Sequence, residues 1–182
     1  MLNLRIILNI NLFFLFKNNF DFVKVLQNLK ILNLSIKWPN DIMSYNYKIG
    51  GILIENTIKS DECINSIIGI GLNVNQTNFE NLPKASSLAL VSETIFDKEK
   101  ILIDIVRKIE SNWGILQNNP ELLRDIYRKN LFKISVPMAF KNKSEQFFMG
   151  IIQGVASSGK LQVLLENDAI AEFEIKEIEM QY

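Results

Sequence analysis

Two stretches of this 182-residue chain confine its fold more than any others. Residues 47–58 and 64–75 are apolar runs of strand length, carrying Gly50-Gly51 and Gly69-Ile70-Gly71 respectively. Apolar runs rich in Ile, Leu and Val, without a helical period, read as strands. Neighbouring side chains on a strand point to opposite faces. In the second run, Ile68, Ile70, Leu72 and Val74 therefore share one face, while Gly69, Gly71, Asn73 and Asn75 share the other. The same alternation in the first run groups Lys48, Gly50, Ile52 and Ile54 against Ile49, Gly51 and Leu53. One face suits a core. The other is cleared of side chains by glycine and ends in amides, and glycine inside a strand marks close approach of a ligand or of another backbone. On this pattern alone, a packed helix or neighbouring strand is favoured over a flat ligand.

The elements around these runs fall into two groups. Residues 21–30 carry apolar side chains at helical spacing, and 34–37 form a short strand leading into Trp38-Pro39. Proline fixes its own φ and donates no backbone hydrogen bond, so the strand ends or bends there. Asn40-Asp41 supply turn chemistry, and 44–46 form a hairpin loop into the first glycine-bearing run. A polar loop spans 76–87. Asp97 is placed to cap a helix over 98–117, whose stripe is Ile101, Leu102, Ile105, Val106, Ile109, Trp113 and Leu116. Pro120 opens a further short helix at the position where its missing N–H costs nothing. Beyond Asn130 the pattern changes to short β-rich runs at 134–140, 146–155, 161–166 and 170–175, divided by turn residues. Such runs suggest a small barrel.

Composition excludes several classes of function. Lys+Arg and Asp+Glu balance at 20 each, so the overall charge of a nucleic-acid binder is lacking. Histidine is absent, which removes Ser-His-Asp and Cys-His catalysis and the usual zinc sites. The single cysteine, Cys63, forms no intrachain disulfide, fits a reducing, cytoplasmic setting and reads as an inert buried thiol. Residues 1–16 combine Arg5 with two apolar clusters. Asn9 and Asn11 interrupt them and no small-residue cleavage site follows, so an internal core segment is expected rather than a signal peptide or membrane span.

Taken in order, Lys37-Trp38-Pro39-Asn40-Asp41-Ile42, then Tyr47-Lys48-Ile49-Gly50-Gly51-Ile52-Leu53-Ile54-Glu55, then Gly69-Ile70-Gly71-Leu72-Asn73-Val74-Asn75 resemble the catalytic domain of biotin protein ligases. The resemblance runs from about residue 22 onward. It implies an α+β fold: a mixed or antiparallel sheet with packed helices over 1–130, followed by a Src-homology-3-like β-barrel over 131–182. It implies ATP-dependent activation of biotin to biotinyl-5′-AMP and transfer to a lysine of a biotin carboxyl carrier domain of a carboxylase. Biotin and ATP with Mg²⁺ are the small molecules implied. No DNA or membrane contact is implied, and a homodimer is an assembly it allows.

The resemblance also distributes roles. Lys48 matches the family lysine that reaches the biotin carboxylate and the adenylate phosphate, and Gly50, Gly51, Gly69, Gly71 and Asn73 fall in the segments against biotin and its adenylate. Lys37 and Asn40 fall near the phosphates, and Asp41 is a candidate Mg²⁺ ligand or a turn cap. Loop 76–87 matches the segment that orders over adenine, with Phe79, Leu82 and Pro83 as its apolar surface. The family's Arg- and Gly-rich loop belongs upstream of Lys37. None of Arg5, Arg107, Arg124 and Arg128 stands in such a loop. The expectation is therefore a chain shortened on its N-terminal side with little activity alone. A non-catalytic remnant retaining carrier or partner contacts is the second reading, and a lipoate-attachment enzyme of the same superfamily the third.

Overall fold

The computed structural model describes residues 1–9, 13–58, 64–111 and 120–182. The first part of the chain runs β1 (Leu2–Asn9), α1 (Phe13–Asn28), β2 (Leu34–Lys37), β3 (Asp41–Ser44), β4 (Tyr47–Ile58) and β5 (Ile64–Leu72). These strands form one antiparallel sheet in the order β1-β5-β4-β3-β2. Three helices follow: α2 (Leu88–Ser92), α3 (Lys98–Ser111) and α4 (Pro120–Lys129). The last part is β6 (Pro137–Asn142), β7 (Phe147–Val155), β8 (Leu161–Leu165), β9 (Ile170–Phe173) and β10 (Ile178–Gln181). It makes a second antiparallel sheet, β10-β6-β7-β8-β9. The expected α+β class is borne out.

Local chemistry accounts for most element boundaries. Asp97 Oδ1 accepts from the backbone N–H groups of Glu99 and Lys100, at 2.9 and 3.2 Å, and so caps α3. Ile101, Ile105 and Ile109 recur every fourth residue on that helix and are all buried. The helix packs against α1, whose Phe22, Val23, Val25 and Leu26 are buried too. Tyr45-Asn46 form a two-residue hairpin between β3 and β4, with Tyr45 at φ 54°. The part of helix 98–117 beyond Ser111, with Trp113, and the expectation for Cys63 lie outside the described residues.

Four expectations need correction. The strand read over 64–75 stops at Leu72, because the Asn73 and Val74 carbonyls accept from Leu88 and Ala89, both at 2.9 Å, rather than continuing the ladder. The run read from 134 becomes a strand only at Pro137, after an isolated bridge from Ile134 to Ile152; Lys133 and Ser135 adopt positive φ, which breaks extended geometry. The helix read over 21–30 begins at Phe13 and ends at Asn28.

The fourth correction concerns faces. Met43 pairs with Lys48 while Ile42 pairs with Gly50, so Ile49 is an extra residue, a β-bulge. The bulge reverses the alternation. Gly51 lies opposite Gly71 and Leu53 opposite Gly69, whereas Gly50 lies opposite Leu72 and Ile52 opposite Ile70. Lys48 therefore shares its face with Gly51 and Leu53, and Gly50 belongs to the core face with Ile52.

The two sheets share a continuous buried cluster running from Phe22 and Ile36 to Phe140, Val163 and Met180. Backbone bonds Ile36 N–H to Asn130 O (2.7 Å) and Phe132 N–H to Ile36 O (2.8 Å) join β2 to the segment between α4 and β6.

Candidate functional site

The Lys37–Ile42 segment is fixed from both sides. The Trp38 indole N–H donates to the Gly159 carbonyl at 3.0 Å, and Gly159 occupies the β7–β8 turn at φ 90°, where a side chain would be strained. The Tyr127 hydroxyl donates to the Pro39 carbonyl at 2.8 Å. Burial drives the Tyr127 phenol far above its ordinary pKa, so it remains a donor. The Trp38–Pro39 peptide is cis. Asn40 bonds Ile52 twice: its carbonyl accepts from the Ile52 N–H and its side-chain amide donates to the Ile52 carbonyl. Asn40 thus holds β3 to β4 with the amide that the sequence reading assigned to phosphate.

A cavity of about 880 Å³ opens over the glycine-bearing strands. Its lining includes Asn40, Asp41, Lys48, Gly50, Gly51, Gly69, Gly71 and Asn73, eight of the nine residues singled out from sequence. Lys37, the ninth, lies outside it in the neighbouring groove with Trp38 and Glu179. The floor is clear because β5 and β4 place Gly51, Gly69 and Gly71 side by side. Gly51 also leaves room for chemistry. A Cβ there would sit 3.3 Å from Asp41 Oδ1 and 3.7 Å from Lys48 Cε. Lys48 Nζ is ion-paired with Asp41 Oδ1, with side-chain exposures of 48% and 24%.

The far wall is built by the end of loop 76–87. The Lys48 N–H donates to Lys84 O at 2.7 Å, and the Ser86 N–H donates to Lys48 O at 2.9 Å. The buried Asn73 side chain donates to Ser86 O at 3.0 Å, and Ser87 Oγ donates to Gln76 O at 2.6 Å. Leu82 and Ala85 reach the cavity from this loop. Asn75 points away from it and exchanges two bonds with Phe96.

Lys37 is partly buried, and desolvation lowers its pKa despite the opposing pull of Asp41. Its ammonium stands 4.9 Å from the Tyr182 ring centroid, and that of Lys84 stands 4.1 Å away. Sequence reasoning missed both Lys84 and Tyr182. Neither lies in a motif, and β10, which delivers Tyr182, was not recognised as a strand.

Among the described residues, Asp41 is the one carboxylate lining the cavity, and no cluster of three His, Cys, Asp or Glu side chains could hold a metal. That donor set does not make a protein cage. It suits a Mg²⁺ carried on a polyphosphate and touched by one carboxylate.

The strand pair, its glycine floor and the lysine–aspartate edge define the class. Residues 16–73 match the family model for the biotin/lipoate A/B protein ligase family. The biotin–[acetyl-CoA-carboxylase] ligase of Mycobacterium tuberculosis is 30% identical over 127 residues, covering 69% of this chain and 46% of the relative. The bifunctional ligase/repressor BirA of Escherichia coli is 26% identical over 152 residues, covering 81% and 46%. The chain thus spans about half the length of these curated relatives. Biotin protein ligase from Aquifex aeolicus, solved in complex with biotin and ATP, superposes with a TM-score of 0.79 at 21% identity, covering 98% of this chain and 77% of that one. The chain resembles biotin protein ligases in sequence and in fold. No described helix is long and apolar enough to cross a membrane.

Proposed function

We propose that this chain carries the site at which biotin is activated by ATP and passed to a lysine of a carrier domain. In the first step a biotin carboxylate oxygen attacks the α-phosphorus of ATP. The bond from that phosphorus to the β-phosphate oxygen breaks, and pyrophosphate leaves. In the second step the uncharged lysine amine of the carrier attacks the acyl carbon of the adenylate. AMP leaves, the amide forms, and the amine's proton goes to solvent.

The observation that carries this reading is the placement of Lys48 beside a floor cleared by Gly51, Gly69 and Gly71, within a cavity of about 880 Å³. A compact bicyclic ligand can lie against the sheet where no side chain protrudes. A fixed ammonium at its edge offsets charge when two anions are brought together, and such preorganised charge is the largest contribution to many catalysed acyl and phosphoryl transfers. Asp41 keeps Lys48 extended until an anionic ligand competes for it. Leu82 and Ala85 supply apolar wall on the loop side, where an adenine would rest. ATP brings Mg²⁺ with it, and Asp41, in the cavity lining, would be the carboxylate to meet that ion.

The test is biotin-dependent exchange of labelled pyrophosphate into ATP, run beside lipoate as competitor, and followed by labelled biotin transfer to a carrier domain. Exchange with biotin is expected. Exchange supported by lipoate alone, or by neither acid, overturns the assignment.

A further inference from the structure

Three lysines converge on one edge of the cavity although nothing in the local sequence groups them. Lys37 lies within electrostatic reach of Asp41, Lys48 and Glu179, and Tyr182 within reach of Lys84, Asp41, Lys48 and Glu179. Lys48 is committed to Asp41. Among the described residues, neither Lys37 nor Lys84 forms an ion pair. Both instead place their ammonium groups against the Tyr182 ring, at 4.9 and 4.1 Å from its centroid. The ring is held edge-to-face on the buried Phe132, with centroids 4.9 Å apart and planes inclined at 68°.

Gathering like charges is costly, and an aromatic face with its negative quadrupole is one of the few neutral groups that offset it. The ring thus does two things at once. It anchors Lys84, whose carbonyl accepts from the Lys48 N–H, and it keeps Lys37 from swinging into solvent. With Lys48, the lysines at this edge number three against the two carboxylates Asp41 and Glu179, so an anion is the ligand this edge suits.

We propose that Tyr182 is a positioning residue: it holds Lys37 and Lys84 toward the phosphates of a nucleotide bound at the edge of the cavity. This rests on the reading that the cavity takes ATP.

The full chain and its variants Tyr182→Phe, Tyr182→Leu and Lys84→Met are compared by calorimetric titration with Mg²⁺-ATP and, separately, with biotin. Two aromatic–cation contacts of ordinary strength correspond to a weakening of ATP binding of about 5- to 20-fold for Tyr182→Leu, with Tyr182→Phe within about twofold of wild type. Biotin affinity is expected to stay unchanged. Lys84→Met is expected to weaken ATP binding by itself and to add little on the Tyr182→Leu background. Unchanged ATP affinity in Tyr182→Leu overturns the proposal, as does equal loss of ATP and biotin, which is the mark of a merely structural role. If Tyr182→Leu does not fold, Lys84→Met decides: ATP affinity equal to wild type overturns the proposal. A wild-type chain that binds neither ligand overturns both this inference and the reaction above. One that binds ATP with the Tyr182 dependence stated, yet gives no biotin-dependent exchange, supports the inference and overturns only the reaction.

Discussion

Gly50 and Gly51 are adjacent and chemically identical, yet the bulge at Ile49 gives them opposite consequences when a methyl group is added. On Gly50 a Cβ would stand 2.7 Å from the Gly71 carbonyl oxygen and 3.3 Å from Leu72 Cδ1. The first of these is backbone, fixed by the β4–β5 ladder, so the sheet must give. Overpacking of this kind costs about 1–3 kcal/mol. For a chain of this length each kcal/mol lowers Tm by about 2–4 °C, so Gly50→Ala is expected to melt roughly 2–12 °C early. On Gly51 the nearest atoms are Asp41 Oδ1 at 3.3 Å, Asn40 O at 3.4 Å and Lys48 Cε at 3.7 Å. Two of these belong to partly exposed side chains that can move by a few tenths of an ångström, and alanine restricts the unfolded chain to a stabilising extent of about 0.4–1 kcal/mol. The Tm of Gly51→Ala should stay near wild type. Its methyl group, however, stands on the cavity floor beside the Lys48–Asp41 pair. One misplaced methylene in a fitted pocket is worth about 10- to 200-fold in discrimination, and biotin binding should weaken within that range. Thermal melts and biotin titration of both variants decide the matter. A Gly50→Ala that melts normally but binds poorly, with a Gly51→Ala that melts early, would restore the unbroken alternation and refute the bulge.

Three further outcomes follow from the same contacts. Lys48→Ala should reduce biotin-dependent pyrophosphate exchange by about 10²–10³-fold, the loss typical of removing one preorganised donor, while Tm moves little because a partly exposed ion pair contributes at most about 1 kcal/mol. Asn73→Ala should cost about 1–3 kcal/mol by leaving the buried Ser86 carbonyl without its donor, and proteolysis should then cut loop 76–87 faster. Tyr127→Phe should be less stable at neutral pH by about 0.5–1.5 kcal/mol, through loss of the bond to Pro39. Burial raises the folded Tyr127 pKa above the unfolded value near 10.0. The wild type therefore holds that advantage below pH 10 and loses about 1.4 kcal/mol per unit above it relative to the variant. Denaturant titrations from pH 8 to 11 should show the gap closing, and a gap that stays constant would rule out the buried, protonated phenol.

Much of the fold was legible because its signals are local. Strand β2, the hairpin at Tyr45-Asn46, the Asp97 cap and Pro120 at the first position of α4 each depend on residues within a few places of one another. The eight cavity residues were legible for a related reason: they lie on or directly beside β3, β4 and β5, which are neighbours in both sequence and space. What escaped depended on distant partners. The bulge at Ile49 exists because β3 and β4 differ by one residue in register, which the alternation of β4 alone does not reveal. Helix α2 is five residues long, too short to show a period, and β10 pairs with β6 across the second sheet. The bonds between Asn40 and Ile52 escaped for the same reason, the partner lying twelve residues away on the next strand.

The second sheet is more than an appendage to the site. Residues 131–182 share buried neighbours with the first sheet. The contacts between them concentrate on the turn that aims Asp41. Trp38 is bound by Gly159 from the β7–β8 turn, Pro39 by Tyr127 from α4, and Lys37 by the ring of Tyr182 beyond β10. Three turn residues, Trp38, Pro39 and Asn40, separate β2 from β3, and on its own a turn of that length leaves the direction of Asp41 loosely set. Fixed from three sides, it places Asp41 opposite Gly51 and against Lys48. Binding energy spent on ordering a site is lost to affinity. A scaffold that orders this turn before the ligand arrives leaves that energy for the ligand, and this explains physically why a tryptophan is placed where its indole can reach a glycine 121 residues away.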